Sequence, residues 1–197
     1  MNYHSDIHNR RSIRLKEYDY SQPGVYFVNI VTQNSECVFG DAADGKLMLN
    51  DAGKIVRNEW LKTAEIRLNV QLDTFVVMPN HLHGIIVIKD HEMNGMDDNV
   101  IGAYDDVGAD DNVGAYGRTP LRRKPKSLGS IIAGFKSVTT KHINIYRQTP
   151  GIPVWQRNYY EHIIRNENEL HRIREYIMNN PLKWELDDEN PNRRGNS

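Results

Sequence analysis

The chain has 197 residues, enough for one domain with embellishments and a sizeable buried core. Its single cysteine, Cys37, excludes disulfide frameworks and cysteine-based zinc sites, and no run of about eighteen apolar residues offers a membrane span. The formal net charge of −1 conceals a segregation that keeps a polyanionic partner open.

Residues 1–20, with Arg10, Arg11, Arg14 and Lys16, read as a basic arm ahead of the domain proper at 21–186. After the turn signal Ser21-Gln22-Pro23-Gly24, the β-branched and aromatic run Val25–Thr32 predicts a first strand. Lys46-Leu47-Met48-Leu49 suggests a second. Asn50 or Asp51 can cap the helix that follows, in which Ile55, Trp60 and Leu61 recur near helical spacing. Val70–Met78 reads as a strand, Pro79-Asn80 as a break, and His81–Lys89 as a further strand.

Residues 91–120 form an acidic insert rich in Gly, Asp and Asn, read as a flexible loop. Its seven carboxylates come with no Lys or Arg between His91 and Gly117, so the rest of the chain carries +6. From Arg118 to Pro150 there are eight cations and no acid. The Arg122-Arg123-Lys124-Pro125-Lys126 run leads into a helix over Ser127–Tyr146, whose apolar positions include Leu128, Ile131, Ile132, Phe135, Val138, Ile143 and Ile145. Lys136 and Lys141 are left to face out. Val154–Arg157 reads as extended, and a long helix over Glu161–Asn179 stops before Pro181. Residues 187–197 read as a polar tail. Strands and then helices in this order predict an α+β plait, an antiparallel sheet of four to five strands covered by helices.

Within His81-Leu82-His83, residues two apart on a strand share a face, so two imidazoles stand side by side as a ready pair of ligands for one divalent metal. On the last helix Tyr176 and Asn180 are spaced i, i+4 and share a face if the helix persists to the residue before proline. Convergence of the two groups would give His81, His83 and Asn180 as metal ligands with Tyr176 beside them. A cation polarising a phosphodiester would then make attack by the tyrosine oxygen feasible. Composition and spacing leave blander readings open: a core histidine pair, a packing tyrosine, and Asn179-Asn180-Pro181 as a helix stop.

The chain resembles the single-tyrosine HUH transposases, particularly the REP-associated tyrosine transposases. The matching segments are Val77-Met78-Pro79-Asn80-His81-Leu82-His83, Ser127-Leu128-Gly129 through Phe135-Lys136-Ser137, the run from Val154 to Arg165, and Tyr176-Ile177-Met178-Asn179-Asn180-Pro181. The resemblance implies a ferredoxin-like or RRM-like domain using Mg²⁺ or Mn²⁺, with His81, His83 and Asn180 as ligands and Tyr176 as the nucleophile. It implies cleavage and rejoining of single-stranded DNA beside hairpins formed by palindromic repeats, through a 5′-phosphotyrosine.

Arg122, Arg123, Lys124, Lys126 and Lys136 would suit phosphate contacts. His162 and Arg165 either approach DNA or brace the long helix. Trp155 is expected in the core, and Tyr159 and Tyr160 rank below Tyr176 because neither has an Asn one turn later. A cytoplasmic, nucleoid-associated protein is expected, without membrane contact and with a monomer preferred over a homodimer. A non-catalytic RRM-like hairpin-binding module is the first alternative, and a zinc- or iron-dependent hydrolase built on the histidine pair the second.

Overall fold

The computed structural model describes residues 18–90 and 126–195. The N-terminal basic run, the acidic insert and Arg122, Arg123 and Lys124 lie outside the described residues. Strand β1 (Gly24–Val31) is followed by a short hairpin, β2 (Gly40–Ala43) and β3 (Lys46–Leu49), then helix α1 (Asp51–Ile66). Strands β4 (Val70–Val77) and β5 (His81–Ile88) form a second hairpin. Helix α2 (Leu128–Arg147), strand β6 (Tyr160–Ile164) and helix α3 (Glu167–Asn179) complete the core elements, and short 3-10 turns cover Pro181–Leu186 and Pro191–Gly195.

The main sheet is antiparallel with strand order β4-β5-β1-β6, so the mixed α+β plait expected from the sequence is the architecture found. The expected long helix over Glu161–Asn179 is corrected. Its first residues are strand β6, paired with β1 from Val25↔Ile164 to Asn29↔Tyr160. The helix starts only after Asn166, whose side chain accepts a hydrogen bond from the Glu169 backbone N–H. Pairing along the free edge of β1 satisfies backbone groups that a helix there would leave exposed at the sheet margin.

Alternation along β1 assigns each face of the sheet. Tyr26, Val28 and Ile30 join Leu82 and Ile86 on one face, where Ala52, Val56 and Trp60 of α1 and Leu128, Ile131, Ile132 and Phe135 of α2 complete the larger core. Trp155 belongs to this core as expected, donating its Nε1 hydrogen to Thr139 Oγ1 at 2.8 Å. Ile145, read as part of the apolar stripe of α2, is instead 66% exposed near the helix end. On the opposite face Phe27, Ile85 and Ile164 meet Leu170 and Ile177 of α3. Among the described residues no helix is long and apolar enough to cross a membrane.

Gly84 shows how tightly the first face is packed against the histidine strand. A Cβ there would lie 2.5 Å from Trp60 Cζ2, inside the indole ring's contact distance. Gly84→Ala is expected to lower stability by roughly 1–3 kcal/mol, because Trp60 must leave its position in a filled core. A urea titration would show this as a lower midpoint at unchanged slope.

Candidate active site

The histidine pair sits on the face opposite Trp60. His81 and His83 are 0% and 2% exposed, and their Nε2 atoms face each other at 3.0 Å. The turn that precedes them fixes one ring. Asn80 is buried and donates both amide hydrogens, to the carbonyls of Ser35 at 2.9 Å and Glu189 at 2.7 Å. Its Oδ1 is thereby aimed at His81 Nδ1, 2.8 Å away, which must be the protonated nitrogen. His81 Nε2 is left as a lone pair pointing at His83.

Neither tautomer of His83 answers this arrangement. With the proton on Nδ1, two lone pairs confront each other at 3.0 Å; with the proton on Nε2, Nδ1 is a buried acceptor with no partner among the described residues. Protonation of the pair is no remedy. Burial pushes His81 down to about 3, opposed by Asn180, and burial followed by repulsion from His81 holds His83 well below the ordinary imidazole range. A second buried acceptor, Asn180 Oδ1, likewise has no hydrogen-bond partner among the described residues. Two neutral imidazoles and a bare amide oxygen form a donor set that fits a divalent cation.

Asp187 extends that set. Its Oδ2 accepts from Asn180 Nδ2 at 3.0 Å and lies 4.0 Å from His81 Nε2. The ligand atoms of His81, His83 and Asp187 all fall within 4.8 Å of one another. The sequence read Asp187 as the start of a polar tail; it comes over the site because the 3-10 turn after Pro181 reverses the chain and buries Glu189 and Asn190. Asn180 itself keeps helical backbone angles (φ −59°, ψ −41°) despite the proline after it, so it does stand one turn beyond Tyr176.

Tyr176 is half-exposed, with its hydroxyl 3.3 Å from His83 Nε2 and its ring edge-on to Phe27. Burial, together with Asp187, Asp188 and Glu189, pushes the phenol up to about 12, so it holds its proton at neutral pH. The cleft before it is lined by Asn29, His83, Tyr160, Tyr176 and Asn180 together with Lys183, Asp187 and Arg193. The sequence reading missed Asn29, Asn80, Lys183 and Asp187. Lys183 had a legible signal, being one turn beyond Asn180.

The other expected contacts lie apart from this cleft. Lys136 does not face freely outward: its ammonium donates to the carbonyls of Gln156 at 2.9 Å and Asn158 at 3.0 Å and lies over the Tyr159 ring. His162 braces the helix, with Nε2 2.7 Å from Glu169 Oε1, while the Arg165 backbone N–H donates to Glu169 Oε2. The Arg165 side chain is exposed, and Lys126 stands in a left-handed conformation just ahead of α2.

Helix α3 is held to the sheet by a second clamp close to Tyr176. Arg174 donates through Nε and Nη2 to the two oxygens of Asp73 on β4, at the irregularity between Leu72 and Phe75. The guanidinium, assisted by hydrogen bonds from Thr74, pulls the Asp73 carboxyl down to about 2. A carboxylate so depressed stabilises the fold above its unfolded value of about 3.9 and loses that contribution as pH falls through 2. Asp73→Asn is expected to cost about 1 kcal/mol at pH 7, discounted for the partly exposed guanidinium. The difference from wild type, measured by urea unfolding, should shrink as the pH is taken from 4 toward 2.

No family model matches the chain. An uncharacterized protein of Haemophilus influenzae is 39% identical over 188 residues, covering 94% of this chain and 95% of its own. A second protein of that organism, named as a REP-associated tyrosine transposase, is 24% identical over 169 residues, covering 84% of this chain and 74% of its own. Among solved structures, a REP-associated tyrosine transposase bound to a REP hairpin superposes with a TM-score of 0.54 at 16% identity, over 86% of this chain and 73% of that one. The transposase fold is therefore shared, and by its 39% identity over nearly the full length of both sequences the chain belongs to one family with the uncharacterized Haemophilus protein.

Proposed function

We propose that the protein is a metal-dependent, REP-associated type of tyrosine transposase that cleaves and rejoins single-stranded DNA carrying hairpins. The observation that carries this reading is the meeting of His83, Asn180 and Tyr176 in one cleft, with His81 buried against His83 and 93 residues separating His83 from Tyr176. A hairpin-binding module needs no buried, unprotonated histidine pair beside a tyrosine hydroxyl. The similarity to transposases, one of them solved on a REP hairpin, supports the substrate class.

His81, His83 and Asn180 would hold Mg²⁺ or Mn²⁺, with Asp187 as a further candidate ligand. When bound, the cation would polarise the scissile phosphodiester and offset its negative charge. Asn80 keeps His81 in the Nδ1–H tautomer, so its Nε2 lone pair stays available. Phe27 and the α3 clamps hold the Tyr176 ring, and His83 holds its hydroxyl, at the edge of the cleft. In the reaction a bond forms from Tyr176 Oη to phosphorus and the bond from phosphorus to the 3′ oxygen breaks. The phenol loses its proton to water at the open side, and the leaving 3′ oxygen takes one up. One phosphodiester becomes another, so the reverse attack by a 3′-hydroxyl rejoins the strand without nucleotide hydrolysis.

Incubation of labelled single-stranded DNA from the gene's own flanks with protein and Mg²⁺ or Mn²⁺ should give a covalent adduct on a denaturing gel. Tyr176→Phe and the His81→Ala/His83→Ala double variant should each give none. Hairpin binding without adduct or cleavage under either metal would turn the conclusion to the binding module, and cleavage that survives Tyr176→Phe would turn it to a hydrolase. Asn80→Ala is expected to weaken Mn²⁺ binding about 10- to 100-fold by freeing the His81 tautomer, as read by titration calorimetry.

A further inference from the structure

Three side chains stand in one row across three adjacent strands. Asn29 of β1 lies opposite His83 of β5 on one side and opposite Tyr160 of β6 on the other. Directly opposed residues project from the same face, with strands about 4.8 Å apart, so His83, Asn29 and Tyr160 form a ladder leading away from the Tyr176 hydroxyl. All three line the cleft.

Their chemistry differs along the ladder. Tyr160 is 39% exposed and its ring lies edge-on to Phe27, 6.2 Å between centroids. Asn29 has a buried Oδ1 with no hydrogen-bond partner among the described residues, although it borders an open cleft. The α3 core does not use this amide: it is built on Phe27, Ile85 and Ile164. A strand position next to the core gains nothing from an unanswered carbonyl unless a donor arrives with a ligand.

We propose that Asn29 and Tyr160 form a base-reading subsite for a nucleotide beside the scissile phosphate. This rests on single-stranded DNA being the substrate. Tyr160 stacks on the base, and the Asn29 amide turns its buried Oδ1 out into the cleft, where it accepts a hydrogen bond from the base's exocyclic amine. An aromatic face accepts every base, whereas only adenine, cytosine and guanine carry such an amine and thymine presents none. Affinity and selectivity therefore reside in different side chains.

The test uses the full chain carrying Tyr176→Phe with Mn²⁺ present, so that binding is read without cleavage, and fluorescence anisotropy with short labelled oligo(dA), oligo(dC) and oligo(dT). This parent protein is expected to bind oligo(dA) and oligo(dC) about tenfold more tightly than oligo(dT), the discrimination expected of a base-edge hydrogen bond. Asn29→Ala should bring the three within about twofold, whereas Tyr160→Ala should weaken all three about fivefold or more and Tyr160→Phe should not. Should Asn29→Ala fail to fold, Asn29→Val keeps a strand-favouring side chain without an acceptor and gives the same readout. Equal affinities of the parent for the three oligonucleotides, or a preference that survives loss of the amide, would overturn the proposal. So would an Asn29 variant that loses Mn²⁺ affinity but keeps the base preference, since the amide would then serve the cation. Absence of oligonucleotide binding with hairpin cleavage intact removes this inference alone; absence of both removes the transposase reading with it.

Discussion

Two imidazole nitrogens held 3.0 Å apart, out of contact with water, are the constraint on which the rest of this structure depends. Such a pair costs energy in isolation, because burial keeps both rings neutral and the Asn80 bond fixes where one proton sits. The fold tolerates the arrangement by making the strand that carries it an interior one. Strand β5 is bonded along its length to β1 and β4, and Leu82, Gly84 and Ile86 lock its other face against α1 and α2. The β4–β5 turn is itself buried: the Phe39 N–H donates to the Pro79 carbonyl and the Thr32 N–H to that of Asn80. Strain of this kind persists where surrounding structure over-determines it, and it concentrates at functional sites.

The two faces of the sheet divide the labour. The α1/α2 face supplies most of the buried apolar surface and therefore most of the stability. The α3 face is a thinner layer, with a small apolar cluster and polar clamps at Asp73–Arg174 and His162–Glu169. A thirteen-residue helix is too short to cover the whole face. The end it leaves open carries the row His83, Asn29 and Tyr160, and there the C-terminal turns bring Asp187 across. Placing the tyrosine helix on the lighter side leaves its geometry dependent on a few directional contacts, so position can be tuned without disturbing the core.

Legibility followed the kind of information each element carries. The apolar run through His81-Leu82-His83 and a cap at Asn50 or Asp51, of which Asn50 is the one found, were readable because periodicity and capping are local. Strand β6 was not: Tyr160-Glu161-His162-Ile163-Ile164 lacks strict alternation and merges with the helix pattern after it, and only the free edge of β1 decides its state. Tyr176 and Asn180 share a face by spacing, but Pro181 argued against helical geometry at Asn180, and a 3-10 turn starting on the proline resolves the conflict. Asp187 and Asn80 carried no local signal, since their roles arise from chain reversal and from carbonyls 45 and 109 residues away from Asn80. Lys136 looked like a free cation because nothing local shows that the loop after Trp155 presents its carbonyls there.

Charge explains why the cleft and its cation belong together on the proposed reading. Apart from the neutral imidazole of His83, its lining holds Lys183 and Arg193 against Asp187, Asp188 and Glu189, an excess of one negative charge. Arg193 is partly spent, since it pairs with Asp188 and the Leu186 carbonyl. The same carboxylates that raise the Tyr176 phenol would repel a phosphodiester. A divalent cation among His81, His83, Asn180 and Asp187 would reverse the sign of the cleft, drawing the phosphate in and easing deprotonation of the phenol at once. An empty cleft of this charge disfavours both DNA and the tyrosinate. On this reading the carboxylates would act as a negative background that ties substrate entry and nucleophile activation to the same ion.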